Sequence, residues 1–381
     1  MTGDDRGRPL GIPHPASRIP HPASRIPCPE AADAARGGRN VRGACRPKET
    51  RLIRNPAPEY WLCAGRSEPL TSCRTGPVEG PAGLTMHVDQ VDVTTDIVAA
   101  LVQEQFPQWS GEAIRPLPST GTVNAIFRVG EGLSARFPLR PTDAAEALAV
   151  LEQEARASAE LAQVSRFPVP EPVATGQPGA GYPMPWSVQT WLPGTVALDA
   201  DPSGSDAFAE DLAAFIAALR NAETRGRRFS GDNRGGVLAH HDEWMAQCFE
   251  ESEGLLDVPR LRRLWSRFRE LPRTGADVMS HGDLIPGNVL VAGGRLSGVL
   301  DTGGFGPADP ALDLVSAWHL LEPGPREVLR RTLACDDLEW ARGTAWAFEQ
   351  AMGLVWYYAE SNPVMSGTGR RTLDRILAST E

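Results

Sequence analysis

The chain has 381 residues, 41% of them hydrophobic, and a formal net charge of −10, so it holds apolar material for two or three domain-sized units. It has no run approaching the roughly 18 unbroken apolar residues of a membrane span, and its start, MTGDDRGRPL, lacks the apolar core of a secretory signal; a cytoplasmic protein with no membrane partner is expected. Residues 86–381 carry twenty-five Lys and Arg against forty Asp and Glu, a balance that argues against nucleic acid as partner and suits a cationic small molecule.

In chain order, residues 1–85 are rich in Pro, Gly, Ala and Arg and contain the heptapeptide IPHPASR twice, at 12–18 and 19–25. No helical or strand period runs through them, so a disordered extension is expected, with the functional protein starting at Met86. Four of the six cysteines lie there (28, 45, 63, 73), the others at 248 and 335, with no Cys-x-x-Cys pair; neither a disulfide framework nor a zinc site is supported. TTDIVAALVQEQF then reads as a capped amphipathic helix. In STGTVNAIFRVGEGLSARFPL, strands at Ala125–Val129 and Leu133–Phe137 flank a turn at 130–132. The small residues Ser119, Thr120, Gly121 and Thr122 before them would let backbone donors approach phosphates, although the same stretch suits an ordinary tight hairpin. A long Ala/Leu/Glu helix is expected over 143–164, and after a Pro/Gly-rich stretch WSVQTWLPG reads as a buried strand ending in a connector. Residues 206–381 are mainly helical except near 281–301. The class is α+β: a small β-rich lobe over 86–193 with a hinge, then a larger helical lobe over 194–381.

The chemistry concentrates in SHGDLIPGNVLV (280–291) and the following GGRLSGVLDTGG. Two apolar runs flank Gly293-Gly294, a dipeptide suited to a two-residue hairpin turn. With Ala292 opposite Arg295, Asn288 falls opposite Val299, two positions from Asp301, and Asp283 enters the same end of the hairpin. Three oxygen-bearing side chains therefore converge. Asn288 and Asp301 suit Mg²⁺, which takes carboxylate and amide oxygens together with phosphate and water; Asp283 is left to accept a proton from an attacking hydroxyl.

His281-Gly282-Asp283-Leu284 with Asn288, then Asp301-Thr302-Gly303 and GPADPALDL, resemble the aminoglycoside phosphotransferase family, relatives of the protein kinases. The likeness extends to TGTVNAIFRV, VQTWLPG and YYAESNP. It implies a bilobal protein-kinase-like fold, ATP as donor with GTP as alternative, Mg²⁺, and a small-molecule hydroxyl as acceptor, here amine-bearing, on a monomer or homodimer. It implies that Asp313 braces the catalytic loop, that His281 pins that loop, and that adenine lies against Gln189, Thr190, Trp191 and Leu192, bonding mainly to backbone. Kinases place a lysine on the third strand; the chain's one lysine is Lys48, and LSARFP puts Arg136 in that position. Glu154, with Val150 and Leu151 before it and Leu161 after it on one helix face, is the expected ion-pair partner of Arg136. Cleft carboxylates for a cationic acceptor would come from HHDEW (240–244), Glu349 or Glu360, each of which also reads as a solvated or capping residue. The alternatives are a metabolic kinase of the choline, homoserine or sugar type, and a nucleotide-binding pseudokinase.

Overall fold

The computed structural model describes residues 90–117, 124–231, 233–273 and 275–380. The expected disordered extension at 1–85 and the Ser119–Thr122 loop lie outside these residues.

Helix α1 (Thr95–Gln105) begins where the Thr94 hydroxyl accepts from the Ile97 N–H, satisfying one of the orphan donors of a helix start. Strands β1 (Ile114–Pro116), β2 (Asn124–Val129) and β3 (Leu133–Pro138) follow. Helix α2 (Ala144–Val164) is capped by Asp143, whose carboxylate accepts from the Ala145 and Glu146 N–H groups; β4 (Pro172–Gly176) and β5 (Trp186–Thr190) come next. The five strands form an antiparallel sheet in the order β1-β2-β3-β5-β4. Strand alternation decides what β3 does: Ala135 and Phe137 turn into a core with Val98, Leu101, Phe127, Trp186 and Val188, so Arg136 projects from the opposite face. The Phe137 ring stacks on Trp186 at 4.8 Å between centroids.

The rest of the chain is mainly helical. Short β6 (Thr195–Val196) and α3 (Ala197–Ala200) lead to α4 (Asp206–Arg220), α5 (Asp242–Glu251) and α6 (Val258–Phe268). Strand β7 (Val278–Ser280) precedes the hairpin of β8 (Val289–Ala292) and β9 (Arg295–Val299), and β10 (Gly306–Ala308) returns to pair with β7. Helices α7 (Val315–Leu320), α8 (Pro323–Thr332), α9 (Asp337–Tyr357) and α10 (Pro363–Thr380) complete the chain. Every residue of α9 from Arg342 to Val355 is buried, as expected for a helix apolar on nearly all sides. A second core gathers Phe208, Phe215, Trp318, Trp346 and Phe348, and the Ala157 and Leu161 face of α2 joins it. Inside this core the Arg342 guanidinium pairs with Asp309, both side chains fully buried. Donors from Trp346 Nε1 at 3.0 Å and the Ala311 N–H at 3.1 Å complete the Asp309 carboxylate, which is what lets a charge pair sit in an apolar interior. No helix among the described residues is long and apolar enough to cross a membrane.

Candidate active site

Gly293 and Gly294 have φ of +58° and +71°, the left-handed pair that a two-residue primed turn requires. Ala292 pairs with Arg295 as the turn dictates, but the register then shifts between Leu290 and Val291, so that Val289, not Asn288, faces Val299. The β-bulge leaves Ser297 as the extra residue of β9 and moves Asn288 one step along, where its carbonyl accepts from the Leu300 N–H at 2.7 Å. Asn288 therefore stands beside the residue next to Asp301, one position closer than the simple hairpin count gives.

The loop from β7 to β8 is held by its backbone. Gly282 takes φ +84°, a conformation that costs a glycine little and a side-chain-bearing residue much more. The buried Asp313 carboxylate accepts from the His281 N–H at 3.0 Å and the Gly282 N–H at 2.9 Å. The His281 ring is buried, with Nε2 2.9 Å from the Leu300 carbonyl and Nδ1 accepting from the Asp283 N–H at 3.2 Å. A carbonyl can only accept, so Nε2 carries the ring proton. Both ring nitrogens are thus committed to holding the loop.

Asp283 is the focus of this loop. Its Oδ2 accepts from Asn288 Nδ2 at 2.9 Å, and its Oδ1 accepts from Arg234 Nη2 at 3.1 Å and Gln350 Nε2 at 2.6 Å. Burial pushes the carboxyl above the ordinary carboxylate range; the Arg234 charge works against that shift and Asp301 adds to it. The Asn288 amide nitrogen is spent on Asp283, through both its side chain and its carbonyl at 3.0 Å, so the atom this side chain has for a cation is Oδ1.

Asp301 sits in the left-handed region (φ +56°, ψ +54°) at the end of the hairpin, with its side chain 51% exposed. Strain of this kind is held in place by surrounding structure. Here the following turn, Thr302–Gly304, is clamped by α2: Thr302 Oγ1 donates to Ser158 Oγ at 2.7 Å, and a Cβ on Gly303 would lie 2.7 Å from Glu154 Cγ. Arg136 Nη2 donates to Asp301 Oδ1 at 3.1 Å. This corrects the pairing expected from sequence: the guanidinium bonds Asp301, not Glu154, because the Glu154 stem packs on Gly303 and β3 directs Arg136 at the residue before that turn. Glu154 still acts at a distance. Burial works against the charge of Arg136, yet Asp301 and Glu154 together hold its pKa above that of a free arginine, while burial raises the Glu154 carboxyl. Two other carboxylates of the helix are engaged elsewhere, Glu152 with Arg156 and Glu160 with Arg227. Val150, read as part of the inward face, is 38% exposed.

A cleft of about 190 Å³ lies between α2 and β4–β5, lined by Arg136, Glu154, Ser158, Thr175, Gln189 and Gly303 among others. In the connector after β5, the Thr190 N–H donates to the Glu171 carbonyl at 2.9 Å and the Trp191 N–H to the Gly132 carbonyl at 2.8 Å. Two backbone donors of the Gln189–Leu192 segment are thus already committed, and the Arg128 guanidinium lies 4.8 Å over the Trp191 ring. The carboxylates suggested for a cationic acceptor fare differently. Asp242 is bound by Arg269 and by Trp265 Nε1 at 3.0 Å, and lies inside α5 instead of capping it. Glu349 is buried against His241 at 2.9 Å, while Glu360 is exposed. Trp346, Phe348 and Tyr358 are core residues.

Among the described residues no group of three or more His, Cys, Asp or Glu could hold a metal. The donors at the hairpin end are instead one amide oxygen and one half-exposed carboxylate, a hard-oxygen pair suited to a cation that draws its remaining ligands from phosphate and water. Sequence reasoning missed Arg234 and Gln350. The GDNRGG segment gives no periodic signal, but Glu349-Gln350 is a polar pair within the apolar run AWAFEQAMGLV, and a polar residue there must find a buried partner.

The model of the phosphotransferase enzyme family (APH) matches residues 114–346. Comparison with curated protein sequences returned no match. Among solved structures, the GDP complex of wild-type aminoglycoside 2'-phosphotransferase-IIIa is 17% identical with a TM-score of 0.58, the match covering 76% of this chain and 100% of that one. The GDP and kanamycin complex of APH(2")-IIia is 18% identical, TM-score 0.57, covering 74% and 99%. The macrolide 2'-phosphotransferase MphH from Brachybacterium faecium, as apoenzyme, is 20% identical, TM-score 0.51, covering 73% and 98%. At these identities the likeness is one of fold.

Proposed function

Because the chain belongs to the phosphotransferase enzyme family, we propose that it transfers the γ-phosphoryl group of ATP, or of GTP as the alternative donor, to a hydroxyl of a small molecule. The observation that carries this reading is the placement of Asp283, a partly buried carboxylate bonded to Asn288 at 2.9 Å, close enough to feel Asp301, which is in turn paired with Arg136. Asp283 orients the acceptor hydroxyl and takes its proton; its raised pKa makes it the stronger base. Arg136 meets the phosphates with a permanently charged, forked donor set, and leaves Asp301 as it does so. Asn288 Oδ1 and the Asp301 carboxylate would hold Mg²⁺, which supplies charge neutralisation on the transferring phosphoryl group. Most of the acceleration then comes from alignment and electrostatics on a loop fixed by Asp313 and His281.

For the acceptor, an aminoglycoside is the first choice, supported by the family and by the acidity of residues 86–381. With Asp242 and Glu349 bound internally, a cationic acceptor would rely on Glu360 or on further exposed carboxylates. A more apolar acceptor of the macrolide kind is the second reading, favoured by the pairing of Asp242 with Arg269 and of Glu349 with His241, which engages two of the carboxylates expected to meet a cation. Thermal shift with Mg-ATP and Mg-GTP, followed by nucleotide-consumption assays with kanamycin, gentamicin, erythromycin, choline and homoserine, tests the whole reading. Turnover with one of the antibiotics is expected. Turnover only with choline or homoserine would make the protein a metabolic kinase, and nucleotide binding without turnover on any of the five would make it a pseudokinase.

A further inference from the structure

Each oxygen of a carboxylate offers about two lone pairs to donors. On Asp283, Oδ1 meets two donors, Arg234 Nη2 and Gln350 Nε2, whereas Oδ2 meets one, Asn288 Nδ2. Gln350 is itself held from behind. Its Oε1 lies 3.2 Å from His319 Nε2, and His319 Nδ1 lies 2.9 Å from the hydroxyl of Thr372 on α10. Gln350, His319 and Thr372 are all buried, at 2%, 4% and 0% exposure, so the three form a continuous line from the last helix to the catalytic loop.

The proton positions follow from what each atom can do. A carboxylate only accepts, so the amide NH₂ of Gln350 faces Asp283 and its oxygen faces His319. That oxygen only accepts, so His319 Nε2 carries a proton. Burial pushes His319 down to about 3, with the charges of Arg234 and Arg375 acting in the same direction and the Gln350 bond against it. The ring is therefore neutral at pH 7 with Nδ1 unprotonated, and the single Thr372 hydroxyl proton is shared between Nδ1 and the Thr368 carbonyl, each 2.9 Å from the hydroxyl oxygen.

We propose that Gln350, locked by His319 and Thr372, is a positioning residue which with Arg234 saturates Oδ1 of Asp283 and leaves the free lone pair of Oδ2 to take the acceptor's hydroxyl proton. This rests on the phosphotransferase reading above. In the step concerned, the acceptor O–H proton passes to Oδ2, the hydroxyl oxygen bonds the γ-phosphorus, and the bond from that phosphorus to its bridging oxygen breaks to release the nucleoside diphosphate. A neutral amide suits the task. It fixes the carboxylate plane without adding a second positive charge beside Arg234, which would weaken the base.

Steady-state kinetics with Mg-ATP and kanamycin, together with histidine NMR on the wild type, test the proposal. Gln350→Leu should lower kcat by about ten- to a hundredfold, as a misplaced catalytic group does, with KM for nucleotide and acceptor within about twofold. His319→Leu should do the same, while His319→Gln, whose amide can replace the Nε2–H donor, should recover kcat to within about threefold. A folded Gln350→Leu with wild-type kcat, a loss confined to KM, or a His319→Gln as impaired as His319→Leu would overturn the assignment. Should the leucine variants fail to fold, long-range ¹H–¹⁵N spectra of histidine-labelled wild type still decide: a neutral Nε2–H ring at His319 from pH 8 to 5 supports the line, and a cation or an Nδ1–H ring at pH 7 overturns it. A wild type silent on every acceptor would count against the phosphotransferase reading and the catalytic half of this proposal, and the His319 ring would still decide the hydrogen-bonded half.

Discussion

In the function proposed above, Asp283 would act as base and Asn288 and Asp301 as oxygen donors to the metal, and their surroundings differ enough to separate these roles by substitution. Asp283 is bonded on both oxygens by neighbouring side chains and only a quarter exposed, whereas the Asp301 side chain is half exposed and touches Arg136. Asp283→Ala should lower kcat by about a hundred- to ten-thousandfold, the usual contribution of a general base, with nucleotide affinity within about threefold of wild type. Asp301→Ala should remove the Mg²⁺-dependent part of nucleotide binding, read by calorimetry with and without EDTA. Equal losses of nucleotide affinity in the two variants would defeat the division of roles. Legibility at this scale was uneven. His-Gly-Asp with an Asn five positions on is a spacing in sequence, so it could be read directly; Arg234 and Gln350 reach Asp283 across 49 and 67 positions, and only folding brings them there.

Two contacts between elements decide how the site is supported. The turn Thr302–Gly304 is pressed against α2, so that a Cβ on Gly303 would approach Glu154 Cγ to 2.7 Å and Cβ to 2.9 Å. Gly303→Ala must therefore push the helix or the turn, at a cost of about 1–3 kcal/mol; a lowered unfolding midpoint together with weaker Mg-ATP binding is the expected result, and an unchanged midpoint would show that the helix yields freely. The other contact is the buried pair of Asp309, just after β10, with Arg342 on α9, which also ties the Gly236 and Leu271 carbonyls to that helix. Removing one charge strands the other, so Asp309→Ala should destabilise by about 3–5 kcal/mol in chemical denaturation. The hairpin carrying Asn288 shows the limit of element-level prediction. Gly293-Gly294 announced the turn, but a bulge at Ser297 moved the register by one residue.

At the scale of the molecule, one core lies under the five-stranded sheet and a larger one fills the helical part, with α2 contributing Ala157 and Leu161 to the latter. The larger core buries His319 as a neutral ring. Its folded pKa of about 3 is below the unfolded value of 6.5, so in that window the unfolded chain binds the extra proton and stability rises with pH. The contribution is complete above pH 6.5 and is lost as the pH falls towards 3. Between pH 6.5 and 5 the loss is about 2 kcal/mol for one such group. Wild type should therefore lose about that much more stability than His319→Gln when acidified from pH 7 to 5, measured by urea denaturation; parallel losses would mean that His319 titrates normally in the fold.

Local sequence determined what local physics decides. Alternation in LSARFP aimed Arg136 away from the core, two glycines bent the hairpin, a 21-residue Ala/Leu/Glu run became α2, and the spacing of His281, Asp283 and Asn288 marked the loop proposed as catalytic. The tertiary structure alone decided the partners. Arg136 bonds Asp301 and not Glu154, Asp242 and Glu349 are bound internally instead of waiting for a cation, and Asp283 is held by two side chains from distant segments. The reason is that period and turn chemistry act within a few residues of the chain, whereas a buried polar atom must be satisfied by whichever group the packing of helices and sheets brings within about 3 Å.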